Sequence, residues 1–351
     1  MFLIYAEEGL RMTRPTIADI AQRSGVSKGA VSFALNGRPG VSEETRRRIL
    51  AVADEMNWRP HRAARSLGKS RAGAVGLILS RPALTLGVEP FFGQVVSGLQ
   101  AGLAEDGTAL QLLVVGDTES EMDAYRTWSA EQRVDGFVLL DPLAEDPRIP
   151  ELERLGVPVM VMGGPLENTS LSFTWADDRE AMHEAVDYLA ALGHRRVVHV
   201  AGMPQFLHTQ RRMKVLAEAK ARHELAEVTS IPTDYSDSEG AVITRRVLSR
   251  RERPTAIVYD SDVMAVAGLG VALEMGVRVP QDLSILSFDD SLLARLTHPA
   301  LTALTRDTQG WAAEAARELI RLIADPTLTL RHKSSTPVLV PRESTHPPAD
   351  R

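Results

Sequence analysis

The chain has 351 residues, 44% of them hydrophobic, enough for a small domain plus a larger one with its own core. It has no cysteine, which excludes a disulfide framework and thiolate metal sites and fits a reducing, cytoplasmic setting. The net charge of -6 hides a partition: residues 1–71 carry 13 Lys and Arg against 7 Asp and Glu, whereas the other 280 carry 27 against 39. A basic end on an acidic chain points to a polyanion partner for that end alone.

In chain order, Phe2-Leu-Ile-Tyr5 followed by two glutamates is too short an apolar run, and too acidic behind it, for a secretory signal. The run from Thr16 to Asn36 then reads as two short helices joined by a tight turn. Thr16 is a candidate N-cap with Asp19 three residues on, and Ile17, Ile20 and Ala21 form an apolar stripe. Gly25 breaks the run. Ser27 caps a second helix in which Val31, Ala34 and Leu35 face inward, leaving Lys28, Gly29, Ser32 and Phe33 on the outward face, where a major groove would be read. Ser42-Glu-Glu-Thr45 announces a third helix with Ile49, Val52, Ala53 and Met56 on one side. After Trp58 comes the short basic stretch Arg59 to Leu67.

From residue 72 the pattern changes to short apolar strands alternating with amphipathic helices. Residues 74–79, 109–115, 136–140 and 157–161 read as buried parallel strands, with helices at 91–105, 121–133 and 149–155 between them. The rhythm repeats with strands at 197–200, 256–259 and 284–287. Two successive βαβ series predict an α/β part with two doubly wound lobes and a ligand held between the carboxyl ends of their strands. No run approaches 18 apolar residues, so no membrane partner is expected.

The run from Thr16 to Leu67 resembles the headpiece and hinge of the lactose-repressor (LacI/GalR) family of bacterial transcription regulators. The remainder carries strings similar to the family's effector-binding part: Pro90-Phe-Phe92, Leu192-Gly-His-Arg-Arg196, Arg253-Pro-Thr-Ala256, Asp260-Ser-Asp-Val-Met-Ala265, Gly276-Val-Arg-Val-Pro280, Asp282-Leu-Ser284, Phe288-Asp-Asp290, Pro299-Ala-Leu-Thr302 and Val340-Pro-Arg-Glu-Ser-Thr345. Together the resemblance covers residues 14–345. It implies a three-helix helix-turn-helix headpiece (14–60), a hinge (61–71) and a two-lobed, periplasmic-binding-protein-like effector domain (72–345). In that domain the first lobe spans 72–174 and 303–331 and the second 175–302 and 335–345. The resemblance also makes Met12 a candidate start of translation.

Carried over residue by residue, the resemblance implies DNA contacts from Thr16, Ser27, Lys28, Gly29, Ser32, Phe33, Asn36, Ser42 and Thr45, and from the hinge residues His61, Arg62, Arg65 and Leu67. Leu67 matches a side chain wedged into the minor groove, with Arg62 and Arg65 on flanking phosphates and Ala63 and Ala64 letting two hinges approach. Effector contacts fall on Phe91, Phe92, Arg211, Tyr235 and Asp262, where charge-assisted bonds and aromatic faces suit a sugar or related metabolite. The family usage departs at Lys214, where glycine is usual, and at Gly163, where many sugar-responsive members carry an acid. In the recognition helix Lys28 can donate to a guanine edge, Gly29 offers no side chain, and Phe33 replaces the arginine of many members.

The implied function is a homodimeric, effector-controlled DNA-binding regulator, a repressor, acting on a pseudo-palindromic operator without cofactor or metal. Closure of the cleft on effector would change how two first lobes meet, and with it hinge order and operator affinity. The tail after Thr345 has no leucine heptads, so a dimer is expected rather than a tetramer. The competing reading is a solute-binding receptor of the same two-lobed fold, which would need a secretory signal in place of the basic helices. An enzyme finds little support. Gly25-Val-Ser-Lys-Gly29 follows a helix and not a strand, Gly68-Lys-Ser70 lacks the first glycine of a phosphate loop, Gly268-Leu-Gly270 lies inside a helical pattern, and no histidine pair has metal-ligand spacing.

Overall fold

The computed structural model describes residues 15–58, 71–81 and 83–349. They divide into two compact units, one ending at Arg71 and one beginning at Ala72. The hinge residues His61, Arg62, Arg65 and Leu67 lie outside the described residues, as do Ala63, Ala64 and Met12.

The first unit holds α1 (Ile17–Ser24), α2 (Lys28–Leu35) and α3 (Glu43–Glu55). Thr16 and Asp19 form the reciprocal capping box, and Gly25 closes α1 at φ 69, a left-handed conformation that suits a residue without Cβ. Ser27 accepts from the Ala30 amide at 3.2 Å, and Ser42 caps α3 in the same way. Ile20, Ala21, Val31, Ala34, Ile49 and Ala53 make the core. Two expectations change here: Ile17 is exposed, and Leu35 is half-buried at the margin of the core.

The second unit has two six-stranded sheets. The first contains β1 (Ala74–Ser80), β2 (Ala109–Val115), β3 (Gly136–Leu140), β4 (Val159–Met162), β5 (Ser172–Trp175) and β11 (Arg331–Lys333), in the order β11-β5-β4-β3-β1-β2, all parallel. The second contains β6 (Arg196–Ala201), β7 (Glu227–Pro232), β8 (Ala256–Tyr259), β9 (Ser284–Ser287), β10 (Thr302–Thr305) and β12 (Val338–Val340), in the order β12-β10-β9-β8-β6-β7, with only β10 and β12 antiparallel.

Each sheet is covered on both faces. In β1, Val75, Leu77 and Leu79 point into a cluster under α4 (Ala83–Val88), α5 (Pro90–Ala104) and α13 (Thr308–Ala324). Ala74 and Ile78 point the other way, under α6 (Thr118–Ala130) and α7 (Arg148–Leu155). That two-sided burial is why the strand is a continuous apolar run. The second sheet is flanked by α8 (Asp178–Ala191) and α9 (Leu207–Arg222) on one face and by α10 (Asp237–Leu248) and α11 (Asp262–Glu274) on the other, with the short α12 (Leu292–Leu296) beyond. The chain passes between the sheets three times, after β5, after β10 and after β11.

Several sequence-based expectations shift. β4 begins at Val159 and not Val157, because Pro158 has no N–H to give a ladder. α6 begins three residues early because Asp117 caps it, accepting from the Ser120 amide at 2.7 Å. β2 is an edge strand with Leu112 and Val114 exposed, not a fully buried one. The short strands β5, β7, β10, β11 and β12 carry no apolar run long enough to announce them.

Candidate ligand cleft and DNA-reading face

The outward face of α2 is built by its own capping. With Val31 and Ala34 buried, Lys28, Gly29 and Phe33 are exposed and Ser32 half-buried, and Phe33 is 40% exposed. Around this face Asn36 Nδ2 donates to the Ser32 carbonyl at 2.9 Å, and Ser42 Oγ donates to Thr45 Oγ1 at 2.9 Å. Thr16 Oγ1 is bonded to Asp19 at 2.7 Å.

In the second unit a cleft opens at the carboxyl ends of the strands of both sheets. Its first wall carries Arg81, Asp141, Met162 and Gly163, at or just beyond the ends of β1, β3 and β4, with Glu89, Phe91 and Phe92 from the start of α5. Its second carries His208, Arg212, Tyr235, Asp260 and Asp289. Asp178, Arg306 and Trp311 come from the segments that follow two of the crossings. The walls meet where the Leu207 amide donates to the Pro142 carbonyl and the Ala144 amide to the Gln205 carbonyl, both at 3.0 Å.

Three guanidinium groups organise the charge, each paired with carboxylate and lying against a ring. Arg81 binds Asp141 at 2.8 Å and lies 4.1 Å from the Phe206 ring centre. Arg306 binds Asp289 at 3.2 Å and lies 5.2 Å from Phe91. Arg212 donates to Asp178 at 2.6 Å and Asp260 at 3.1 Å and lies 3.7 Å from Phe288. Asp260 also accepts from the Gly202 amide at 2.8 Å and pairs with His199 at 2.9 Å. Burial pulls the Asp260 carboxyl upward, but His199 and Arg212 outweigh it and hold the group below the usual carboxylate range. At Glu89 the balance is reversed: burial, with Asp289 and Asp141 nearby, outweighs the opposing charge of Arg81 and pushes its carboxyl up to about 8, so it carries a proton at neutral pH. Burial also raises Asp289 to about 6, against the opposing charge of Arg306.

Backbone strain gathers here too: Asp141 at φ 51 and Tyr235 at φ 71 are left-handed non-glycine residues, and both line the cleft. The Tyr235 hydroxyl pairs with His208 at 2.9 Å and Thr209 at 3.2 Å. Its ring fills the space a side chain at Gly202 would need, since a Cβ there would lie 1.8 Å from it.

Phe91, Phe92 and Tyr235 therefore line the cleft, but two expected residues do not. Arg211 turns away and donates to the Pro165 carbonyl; the next residue, Arg212, enters instead, because one step along a helix rotates a side chain by about 100°. Asp262 is buried beside a neighbouring recess, where it accepts from the Ser291 amide at 3.0 Å, and Ser261 is the N-cap of α11. Asp260, at the end of β8, takes the expected place in the cleft. Lys214 is exposed on α9. Gly163 lines the cleft at φ 138, and a Cβ there would sit 2.3 Å from the Pro142 ring, so no acidic side chain fits. Arg81, Glu89, Asp141, Asp178, Asp289, Arg306 and Trp311 were not anticipated from the sequence; only the Asp289-Asp290 pair sat in a string already singled out.

A helix-turn-helix unit followed by two parallel-sheet lobes around a polar cleft defines a ligand-responsive DNA-binding regulator. Residues 16–61 match the model of the lacI family of bacterial regulatory proteins, and residues 186–345 match a periplasmic binding protein-like domain. The HTH-type transcriptional regulator CelR of Thermobifida fusca is 32% identical over 339 residues, covering 95% of this chain and 99% of that protein. The probable HTH-type transcriptional repressor ExuR of Bacillus subtilis is 27% identical, covering 89% and 92%. A solved transcriptional regulator CelR–cellobiose complex superposes with TM-score 0.72 at 29% identity, covering 94% of this chain and all of that one. The lac repressor dimer bound to operator and an anti-inducer shares the fold, with TM-score 0.83 at 22% identity and coverage of 95% and 100%. The chain belongs to the lacI family of bacterial regulatory proteins and is a DNA-binding transcriptional regulator, not an enzyme or a solute receptor. Among the described residues no helix is long and apolar enough to cross a membrane.

Proposed function

We propose that this regulator is a cytoplasmic, homodimeric repressor whose operator affinity is set by a small, hydroxyl-rich effector held in the cleft. The observation that carries this reading is the lining of the cleft. Paired guanidinium and carboxylate groups stand beside Phe91, Phe92 and Trp311, an arrangement that can bind sugar hydroxyls and their apolar ring faces together. The relative solved with cellobiose supports a carbohydrate. Arg212, Asp260, Asp289, Phe91, Phe92 and Tyr235 hold the effector in this reading.

On the DNA side, Lys28, Ser32 and Phe33 read bases while Thr16, Ser27, Asn36, Ser42 and Thr45 lie along the backbone. Gly29 lets the helix approach closely. Lys28 makes a direct donor contact, so Lys28→Ala costs about 1–3 kcal/mol of specific binding and leaves non-specific, salt-sensitive binding nearly unchanged. Selection of bound fragments from sheared host DNA, followed by anisotropy titration at two salt concentrations with and without added sugars, measures both. Equal loss of specific and non-specific binding in Lys28→Ala would remove Lys28 from the base-reading set; an operator unaffected by every sugar would remove carbohydrate control.

A further inference from the structure

In the first lobe, α13 and the edge strand β11 bring together three metal-ligating side chains, none of which lines the cleft. Glu314 and Glu318 stand one turn apart on the same face of α13. His332 is the middle residue of β11, and strand alternation sends Arg331 and Lys333 to the opposite face. There Arg331 donates to the Thr169 carbonyl and Lys333 to Glu180 at 3.2 Å. One donor atom from each of Glu314, Glu318 and His332 lies within 4.8 Å of the other two. His332 Nδ1 is 3.6 Å from Glu318 Oε1, and Nε2 is 3.9 Å from Glu314 Oε1. Glu318 is the buried member, with its side chain 12% exposed, and its Oε2 is a buried atom without a hydrogen-bond partner. The spacing 314, 318 and 332 matches no metal motif; the set exists because β11 pairs with β5, which places His332 opposite Thr174 and beside α13.

Both separations are too long for hydrogen bonds, so the imidazole does not bridge the carboxylates through its own N–H groups. They lie within a few tenths of an ångström of the spacing between neighbouring donors around a tetrahedral zinc ion, roughly 3.3–3.6 Å for bonds of about 2.0–2.2 Å. The exposed Glu314 can rotate to close the set. Two carboxylates cancel a double positive charge, which also relieves Glu318: burial raises its carboxyl, His332 opposes that, and Glu314 adds to it. An imidazole ligand favours a transition-metal ion over Mg²⁺ or Ca²⁺, which take oxygen. The other ring nitrogen has its own partner. Nε2 lies 3.4 Å from Thr174 Oγ1, so with an ion on Nδ1 it donates there, as ligating histidines do, and Thr174 Oγ1 also accepts from the Trp311 indole at 3.1 Å. We propose that Glu314, Glu318 and His332 form a site for one divalent transition-metal ion of the zinc class, which leaves a fourth position to water and staples β11 to α13.

The test is calorimetric titration of the full-length, chelator-treated protein with Zn²⁺ and with Mg²⁺, followed by melting curves with and without each ion. The wild type takes up Zn²⁺ at one such site per chain, at least tenfold more tightly than Mg²⁺, and its melting temperature rises with Zn²⁺. Glu314→Gln and His332→Gln each weaken that uptake tenfold or more and abolish the rise. Glu314 is exposed, so its variant keeps the fold and decides the matter if His332→Gln does not fold. Zinc uptake and a melting shift unchanged in Glu314→Gln mean an adventitious ion only and overturn the site. No zinc uptake by the wild type overturns it too, as does Mg²⁺ bound as tightly as Zn²⁺.

Discussion

Two buried arginines, one in each lobe, make nearly the same bonds and do different work. Arg148 in the first lobe donates to Asp146 at 2.7 and 2.9 Å, to Glu121 at 2.9 and 3.1 Å and to the Asp141 carbonyl at 2.9 Å, while Tyr125 adds a hydroxyl to Glu121 at 2.7 Å. Arg212 in the second lobe is bound by Asp178 and Asp260 with comparable geometry. The first cluster sits behind the loop between β3 and α7, with its guanidinium closed over by protein; the second lies at the mouth of the strands, beside His208 and Tyr235. Buried charge with perturbed titration is thus no marker of a site by itself; what separates the two is whether the group borders a space that a ligand can enter.

The largest effects come from breaking either cluster. Arg148→Met leaves Glu121 and Asp146 buried without their cation and lowers stability by roughly 3–5 kcal/mol in urea unfolding, with sugar affinity in the folded protein changed far less than in the second variant. Arg212→Met costs a similar amount of stability and also removes sugar binding; a variant that binds sugar normally would take Arg212 out of the effector set. A smaller effect tests the packing that holds the first lobe's wall. Gly98 and Gly102 of α5 press on α13 so closely that a Cβ would lie 2.2 Å from the Gln309 carbonyl oxygen and 2.3 Å from that of Ala313. Gly98→Ala therefore destabilises by about 1–3 kcal/mol through overpacking, with no change in the pH dependence of unfolding.

The smallest effect concerns Glu89. Its carboxyl rises from 4.5 to about 8 on folding, so between those values the folded chain holds a proton that the unfolded chain has lost. That contribution to stability falls as pH rises through this interval. Glu89→Gln removes the dependence, so its melting temperature gains on the wild type as pH rises from 5 to 8. Parallel melting curves across that range would show that Glu89 is not held protonated.

How much of this was legible in the sequence follows from the range of the forces involved. Caps and turns are local, so Thr16, Ser27 and Ser42 place the three headpiece helices within a residue. The central strands are equally plain because both of their faces are buried. The edge strands β2 and β7 and the cleft are not local matters. Arg81, Asp141, Asp289 and Arg306 come from four distant loops that only the doubly wound topology brings together. Arg211 and Arg212 show another limit: they are neighbours in sequence, but a helical step of about 100° sends one to the Pro165 carbonyl and the other to Asp178.

Gly163 and Pro142 constrain one another. The Pro142 ring already occupies the place of a side chain at residue 163, so no acid fits there while the proline remains. The two positions are epistatic. An acidic side chain at residue 163 would need the Pro142 ring, which forms part of the cleft wall, to give way. A carboxylate at this point of the cleft wall therefore takes a change at two positions rather than one.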